Sequence, residues 1–216
     1  GYILTLVEGG ALKDKKVRDK YLRRAAKGVD RIISIVKDLD LITQFESGIK
    51  TVDKSEFNIY NLIVNVFDSL EFESEKNNIS LKLDNINNPL IFVSADQERI
   101  IQVLTNLIVN SIKYGTNNGY TEILVEDYNK EKVIVRVIDN GEGIEQEHLP
   151  RLFERFYRID KNRSRKKGGS GLGLSIVKHI IEAHQEEIFV ESKIGKGTEF
   201  SFTLQKPKTS STKIEI

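Results

Sequence analysis

Apolar residues recur every three or four positions along the first quarter of the chain, with Lys, Arg and Asp between them. A helix from about residue 14 to residue 46 would place them on one face, close to the heptad spacing of a coiled-coil seam. The seam comprises Leu22, Ala25, Val29, Ile32, Val36, Leu39 and Ile42. So long a seam needs cover, so we expect it to pair with a second copy of the chain in a helical bundle. The alternative is that it packs onto the chain's own globular domain.

The pattern changes after Ser47 and Gly48, where strand-like runs begin to alternate with helical ones. Two residues suited to capping a helix N-terminus, Asn58 and Asp96, precede helical runs. The predicted strands are 50–57, 79–83, 90–93, 121–127, 132–138, 187–192 and 198–204, and the predicted helices are 58–76, 97–114, 146–153 and 170–184. This order predicts an α+β fold, in which helices cover one face of a sheet.

The 216-residue chain carries 33 basic and 32 acidic residues, for a net charge of +1. A dedicated nucleic-acid binder carries a basic excess, so we expect no nucleic-acid partner. There is no cysteine, which excludes disulfides and thiolate metal sites. No apolar run approaches the roughly 20 residues that span a bilayer. The chain does not begin with Met, and its first residues resemble the middle of a helix, so we expect a fragment of a longer protein.

The predicted strand 132–138 ends on a carboxylate, Asp139, and two glycines follow at alternate positions, Gly141 and Gly143. Glycine lets a backbone turn sharply and lets a flat ligand approach closely. A carboxylate at such a place can accept a hydrogen bond from an exocyclic amine, such as that of adenine. The alternative is an ordinary Asp-Asn-Gly hairpin turn.

The predicted helix 97–114 carries a second cluster, in which Asn106, Asn110 and Lys113 share one face. An amide oxygen is a hard ligand suited to Mg²⁺, and an ammonium one turn further can neutralise phosphate. We expect the opposite face, with Ile101, Leu104, Ile108 and Ile112, to be buried. The alternative is that the polar stripe is simply solvated.

A glycine-rich run, 168–174, leads directly into the predicted helix 170–184. Backbone N–H groups at a helix N-terminus favour phosphate. A Rossmann fingerprint would need a preceding strand, whereas residues 155–167 are polar and basic, so we exclude that fold. The basic residues of this stretch either meet phosphates or form a solvated loop.

Five motifs together resemble the N, G1, F, G2 and G3 boxes of sensor histidine kinases, in the family's order, over residues 50–205. They are Asn106, Asn110, Lys113 and Tyr114; Asp139, Gly141 and Gly143; residues 151–157; residues 169–174; and Gly197 with Thr198. The resemblance implies a two-layer α/β sandwich of the Bergerat ATP-binding type. It makes residues 1–47 the end of a helical dimerisation hairpin, 48–206 the catalytic domain and 207–216 a tail, which its Lys-, Ser- and Thr-rich composition predicts to be disordered.

The same resemblance implies a role for each matching residue, with ATP and Mg²⁺ as cofactors. Asp139 would accept the adenine amine, and Thr198 would support the pocket. Asn110 would hold Mg²⁺, while Asn106 and Lys113 would serve the transfer. The remaining residues implied to bind the nucleotide are Tyr114, Gly141, Gly143, Phe156, Gly169, Gly171, Leu172, Gly173 and Leu174.

Members of this family phosphorylate a histidine that is followed by an acid and then a proline, and none of His148, His179 and His184 fits. We therefore expect the acceptor histidine to lie upstream, and this fragment to be unable to phosphorylate itself. The three histidines lack metal-ligand spacing, and we expect each to be partly exposed. The expected partners are a response regulator receiver domain and a second copy through residues 1–47. We expect a cytoplasmic fragment, attached to a membrane only through missing upstream regions.

Two other functions stay open at this point. Related ATPases that use ATP to drive conformational change carry a Glu where this chain has Asn106, and a carboxylate can deprotonate water whereas an amide cannot. An imidazole acceptor needs mainly positioning and charge neutralisation, so Asn106 favours phosphoryl transfer over hydrolysis. The remaining alternative is a dimerising module without enzymatic activity, which the intact glycine and asparagine positions argue against.

Overall fold

The computed structural model describes residues 15–47, 51–84, 90–159 and 170–208. The chain divides into two compact units, Gly1–Thr43 and Gln44–Ile216. Helix α1, Lys15–Glu46, supplies the described part of the first unit. Its predicted seam is largely uncovered in the single chain, with Ile32 62% and Val36 59% exposed. Within the described residues, no helix is both long and apolar enough to cross a membrane.

The second unit is built on a seven-stranded mixed sheet. Its strands are β1 Ser55–Asn58, β2 Ile79–Leu83, β3 Phe92–Ala95, β4 Gly119–Asp127, β5 Lys132–Asp139, β6 Ile188–Lys193 and β7 Gly197–Gln205. The order is β1-β3-β7-β5-β4-β2, and β6 also pairs with β7. All pairs are antiparallel except β2 with β4, which is parallel. Every residue of the two central strands, β5 and β7, is buried or half-buried, as expected of runs rich in apolar and β-branched residues.

Helices α2 Ile59–Lys76, α3 Gln97–Tyr114 and α4 Gly173–Ala183 form the second layer, with α3 between the other two and against β4 and β5. Both predicted N-caps are confirmed. The Asn58 Oδ1 accepts the N–H groups of Tyr60 and Asn61, at 2.8 and 3.1 Å. The Asp96 Oδ1 accepts the N–H of Arg99 at 3.1 Å. The α+β fold with a two-layer sandwich is therefore as predicted.

Several predicted bounds differ from the structure for local reasons. Residues 51–54 are not strand, so β1 begins at Ser55, and the strand predicted at 90–93 runs two residues later as β3. The predicted helix 146–153 is a 3₁₀ helix, Gln146–Arg151, because Pro150 lies inside it and removes a backbone donor. Helix α4 begins at Gly173, since the preceding Gly171 has φ +78°, outside the helical region.

Two predictions of side-chain burial are wrong. Ile101 is 38% exposed, although Leu104, Ile108 and Ile112 are buried as predicted. The buried stripe of α3 is wider than predicted and comprises Ile100, Val103, Leu104, Leu107, Ile108, Ser111 and Ile112. His184 is 1% exposed, not partly exposed. Residues five apart on a helix face different directions, so His184 can be buried while His179 is not.

Candidate functional site

A cavity of about 360 Å³ lies where helix α3, the end of β5 and the start of α4 meet. That volume is within the range of small-ligand sites, roughly 300–1,000 Å³. Ten of the predicted site residues line it: Asn106, Asn110, Lys113, Tyr114, Asp139, Gly143, Gly171, Gly173, Leu174 and Thr198. Segments more than 90 residues apart in sequence thus meet in one concave surface.

Asp139 is the last residue of β5 and lies on the wall of this cavity. Its Oδ1 accepts the N–H of Gly141 at 2.8 Å and the N–H of Thr198 at 3.2 Å. Among the described residues, Oδ2 has no hydrogen-bond partner. Burial raises the pKa of the Asp139 carboxyl above its ordinary value, and the two backbone N–H bonds partly oppose that rise. The carboxylate is therefore fixed in place with one acceptor oxygen left for a ligand.

Two glycines let the loop after Asp139 lie directly against the turn between β6 and β7. Gly143 has φ +73°, and a Cβ there would overlap the carbonyl oxygen of Lys193. Gly197 has φ +113°, and a Cβ there would overlap the carbonyl oxygen of Asp139. Only glycine combines this backbone conformation with this contact. Gly141 does not line the cavity, but its N–H orients Asp139.

The three side chains of the polar stripe of α3 are half-buried, and all three line the cavity. Asn106 and Asn110 both line it, and within the described part of the chain neither side-chain amide has a hydrogen-bond partner. The Lys113 ammonium lies 5.0 Å from the centroid of the Tyr114 ring. Burial raises the pKa of Tyr114, and the charge of Arg158 partly opposes that rise. The stripe therefore presents two amides and a cation to whatever occupies the cavity.

Phe156, from the motif 151–157, and Gly171, from the glycine-rich run, contact each other at the edge of the cavity. The Phe156 N–H donates to the Gly171 carbonyl at 2.9 Å, and a Cβ on Gly171 would come within 2.9 Å of the Phe156 Cα. The Phe156 ring is 54% exposed and does not line the cavity, so only its backbone contributes to this contact. Leu172 is buried in the core behind the cavity. Gly169 and the basic residues 161–167 lie outside the described residues.

Several residues that line the cavity were not predicted from the sequence. The Ser111 hydroxyl, buried on the same helix as Asn110, hydrogen-bonds the Thr121 hydroxyl at 2.5 Å. Its small polar side chain inside an apolar stripe was the available signal. Tyr157, Arg158 and Ile159 also line the cavity; Tyr157 belongs to the motif 151–157, but none of the three was predicted as a site residue. The other lining residues not predicted are Val109, Glu142, Ile144, Leu152, Ser170 and Phe200.

The chain has clear relatives among known proteins. The family model of histidine kinase-, DNA gyrase B- and HSP90-like ATPases matches residues 95–208, more than half of the chain. The sensor histidine kinase WalK of Bacillus subtilis (strain 168) is 33% identical over 204 residues, which are 94% of this chain and 33% of that protein. The chain therefore spans about a third of the length of this curated relative.

Solved structures agree with this relationship. The nucleotide-free catalytic domain of the histidine kinase ThkA is 34% identical, covers 71% of this chain and 96% of its own, and superposes with a TM-score of 0.62. ThkA in complex with the response regulator protein TrrA is 29% identical, covers 94% of this chain and 57% of its own, and superposes with a TM-score of 0.71. The chain belongs to the histidine kinase-, DNA gyrase B- and HSP90-like ATPase family, and it carries a catalytic domain of the sensor histidine kinase type.

Proposed function

We propose that this chain is the ATP-binding catalytic part of a sensor histidine kinase. It transfers the γ-phosphoryl group of ATP to a histidine on an upstream helix, from which the group passes to an aspartate of a response regulator. The observation that carries the proposal is the half-satisfied carboxylate of Asp139 in a cavity of ligand size. Its available Oδ2 matches the exocyclic amine of adenine, which is a hydrogen-bond donor, and repels the carbonyl oxygen that guanine has at that position.

The residues around the cavity also fit Mg²⁺ and phosphate. The side-chain amide of Asn110 offers an oxygen to a hard cation, and no other described residue competes for it. Bound Mg²⁺ would neutralise phosphate charge. Lys113 adds a positive charge one turn further along α3. The N–H groups at the start of α4, beginning with Gly173, have no side-chain cap among the described residues, and they suit an anion.

The chemistry at Asn106 favours transfer to histidine over hydrolysis. Asn106 lies against Gly173, with its Oδ1 3.1 Å from where a Cβ of that glycine would be, so it faces the phosphate end of the cavity. An amide cannot take a proton from water. In the transfer, a neutral imidazole nitrogen donates its electron pair to the γ-phosphorus, the bond to the bridging oxygen breaks, ADP leaves, and the imidazole then loses its N–H proton. Positioning, and not a general base, is the main requirement.

The partners follow from the helical unit and from the relatives. The uncovered seam of α1 supports a homodimer through residues 1–47. The ThkA structure contains a response regulator, TrrA, which supports a receiver domain as the second partner of this chain. The site of this fragment would then act in the cytoplasm, with any membrane attachment outside it.

The test uses γ-labelled ATP and the full 216-residue chain. We expect calorimetry to show Mg²⁺-dependent ATP binding, and no label on the chain incubated alone. Adding a separate helical segment that bears the acceptor histidine should give acid-labile, base-stable label on that segment. Asp139→Asn is the matched control and should label it poorly. Absence of ATP binding would overturn the proposal, and rapid release of labelled phosphate without histidine label would favour the ATPase instead.

A further inference from the structure

His184 is a buried histidine with both ring nitrogens in use, at the end of α4 opposite the cavity. Its Nδ1 lies 2.7 Å from the Ile180 carbonyl oxygen, and its Nε2 accepts the N–H of Asp96 at 2.9 Å. A carbonyl oxygen only accepts and a backbone N–H only donates. Both bonds therefore require the neutral imidazole with its hydrogen on Nδ1.

This imidazole joins the far ends of the two helices that form the nucleotide site. Asp96 caps the start of α3, and His184 caps the end of α4. At the other end of the same pair, Asn106 of α3 lies against Gly173 of α4. The two contacts are about ten residues apart on each helix, or roughly 15 Å. The helix pair is thus antiparallel, with the His184 contact outside the cavity and a second contact inside it, between the middle of α3 and the start of α4.

Residues 51–54, which lead into β1, are attached to the same point. The Asp53 N–H donates to the Asp96 Oδ2 at 3.2 Å, and the Lys54 ammonium donates to the His184 carbonyl at 3.1 Å. The contact therefore ties this segment of the chain to the start of α3 and the end of α4 together.

Burial of the His184 ring and the nearby Lys54 ammonium oppose its protonation. Burial lowers the pKa of His184, and the Lys54 ammonium lowers it further; the hydrogen bond to Ile180 and the carboxylates of Asp96 and Glu186 raise it. Glu186 is itself bound by Lys132 at 2.9 Å and by the Thr203 hydroxyl at 2.5 Å. A protonated ring would carry a hydrogen on Nε2, facing the Asp96 N–H donor to donor, so that bond cannot survive protonation.

We propose that His184 is a positioning residue for the nucleotide site: its neutral ring holds the far ends of α3 and α4 together, and its protonation, which the departure of Lys54 favours, weakens nucleotide binding. The inference rests on the proposed ATP site. Linkage requires the reverse effect too, so a bound nucleotide makes His184 harder to protonate.

Calorimetric titration of the full chain with Mg-ATP between pH 7.5 and pH 4.5 tests the proposal; the range extends well below the ordinary pKa of histidine because the pKa of His184 is lowered. His184→Gln keeps one donor and one acceptor but does not titrate in this range. Across this range we expect the ATP affinity of the wild type to fall by about fivefold or more relative to that of His184→Gln. Fivefold is the lower end of typical coupling between two sites. His179→Gln, on the same helix, is the control and should behave as the wild type. Taking the ratio to His184→Gln cancels the titration of the nucleotide phosphates and of Asp139.

The outcomes separate the two proposals. Binding at pH 7.5 with the same pH response in the wild type and His184→Gln overturns the role of His184 alone. No binding by the wild type at pH 7.5 overturns the ATP site and this inference with it.

Two further measurements decide the matter if His184→Gln does not fold. Imidazole ¹⁵N NMR should place the hydrogen of His184 on Nδ1 at pH 7.5, and a hydrogen on Nε2 would overturn the proposal. Lys54→Gln removes an exposed ammonium, so it should move both the NMR titration of His184 and the loss of ATP affinity to higher pH. An unchanged midpoint for both would refute the link to residues 51–54.

Discussion

Replacing Asp139 by Asn should separate two effects of this carboxyl: it recognises the nucleotide, and its buried charge lowers the stability of the fold. The Asn Oδ1 can keep accepting the N–H groups of Gly141 and Thr198, so the loop geometry should persist. The Asn Nδ2 then takes the place of the available Oδ2 and points a donor at the donor amine of adenine. The substitution changes almost nothing in volume and reverses one hydrogen-bond polarity.

The magnitude follows from the lost bond. A hydrogen bond to a charged group contributes about 1.5–3 kcal/mol, which is about 10- to 150-fold in Kd. Because Asp139→Asn sets two donors against each other and does not merely lose a contact, we expect a fall in ATP affinity in the upper part of that range. Inosine triphosphate carries a carbonyl oxygen where ATP has the amine, so the variant should lose the preference for ATP over inosine triphosphate.

Unlike the affinity for ATP, the stability of the nucleotide-free protein should not fall in Asp139→Asn. Burial raises the pKa of Asp139 above its value in the unfolded chain, so the folded chain holds this proton to higher pH than the unfolded chain does. The contribution of this group to stability therefore rises as pH falls through its raised pKa, and at neutral pH the ionised carboxylate costs folding free energy. Asp139→Asn removes that charge, so the nucleotide-free variant should be at least as stable as the wild type at pH 7.5.

Calorimetry with ATP and with inosine triphosphate measures the change in recognition, and thermal unfolding without nucleotide measures the change in stability. Asp127→Asn, which alters an exposed carboxyl at the end of β4, is the control and should change neither. An unchanged ratio of the two affinities in Asp139→Asn would refute the recognition argument. A clear loss of nucleotide-free stability at pH 7.5 would show that Asp139 is held by its charge and not merely by geometry.

Three further predictions concern other parts of the molecule. Asn110→Ala should abolish the response of ATP affinity to Mg²⁺, measured with and without a chelator; a persisting response would exclude Asn110 as the metal ligand. Gly143→Ala should lower stability by about 2 kcal/mol or more, since left-handed backbone alone costs about 1–2 kcal/mol; Gly195→Ala, with the same φ of +73° but open space around it, should lose less, and equal losses would deny the close approach at Gly143. Sedimentation should show a weak dimer that Val36→Lys in the α1 seam abolishes, and a wild-type monomer at every accessible concentration would refute pairing through α1.

The features predicted well from the sequence are those set by local rules. The polar stripe of α3 follows from helical spacing alone, and both N-caps follow from residue type at a helix start. The strand that ends at Asp139 follows from its apolar, β-branched content. None of these requires knowledge of which elements are neighbours.

The features missed depend on contacts between distant segments. His184 resembles any polar residue at a helix end, and its burial arises because Asp96, 88 residues earlier, needs an acceptor for its N–H. Ser111 is similar, since its hydroxyl is satisfied by Thr121 on β4. The periodicity of a helix shows which face is buried, but not which donor or acceptor lies opposite each residue.

Strand register explains why polar residues from separate motifs meet at one level of the sheet. Thr121 of β4 is the Cα partner of Asp139 on β5, Asp139 is the partner of Thr198 on β7, and Thr198 is the partner of Ser192 on β6. Cross-strand partners point to the same face, so the four side chains form one polar row, joined at one end by the Ser192 and Thr198 hydroxyls at 2.8 Å.

That row exists only in this register, because a slip of one residue would turn each side chain to the opposite face. The close approach of Gly197 to the Asp139 carbonyl joins the start of β7 to the end of β5, where it opposes such a slip. Gly197, which does not line the cavity, therefore acts on the site through the sheet, by fixing the register that places Thr198 beside Asp139. On this argument, a side chain at Gly197 should disturb adenine recognition without touching the nucleotide.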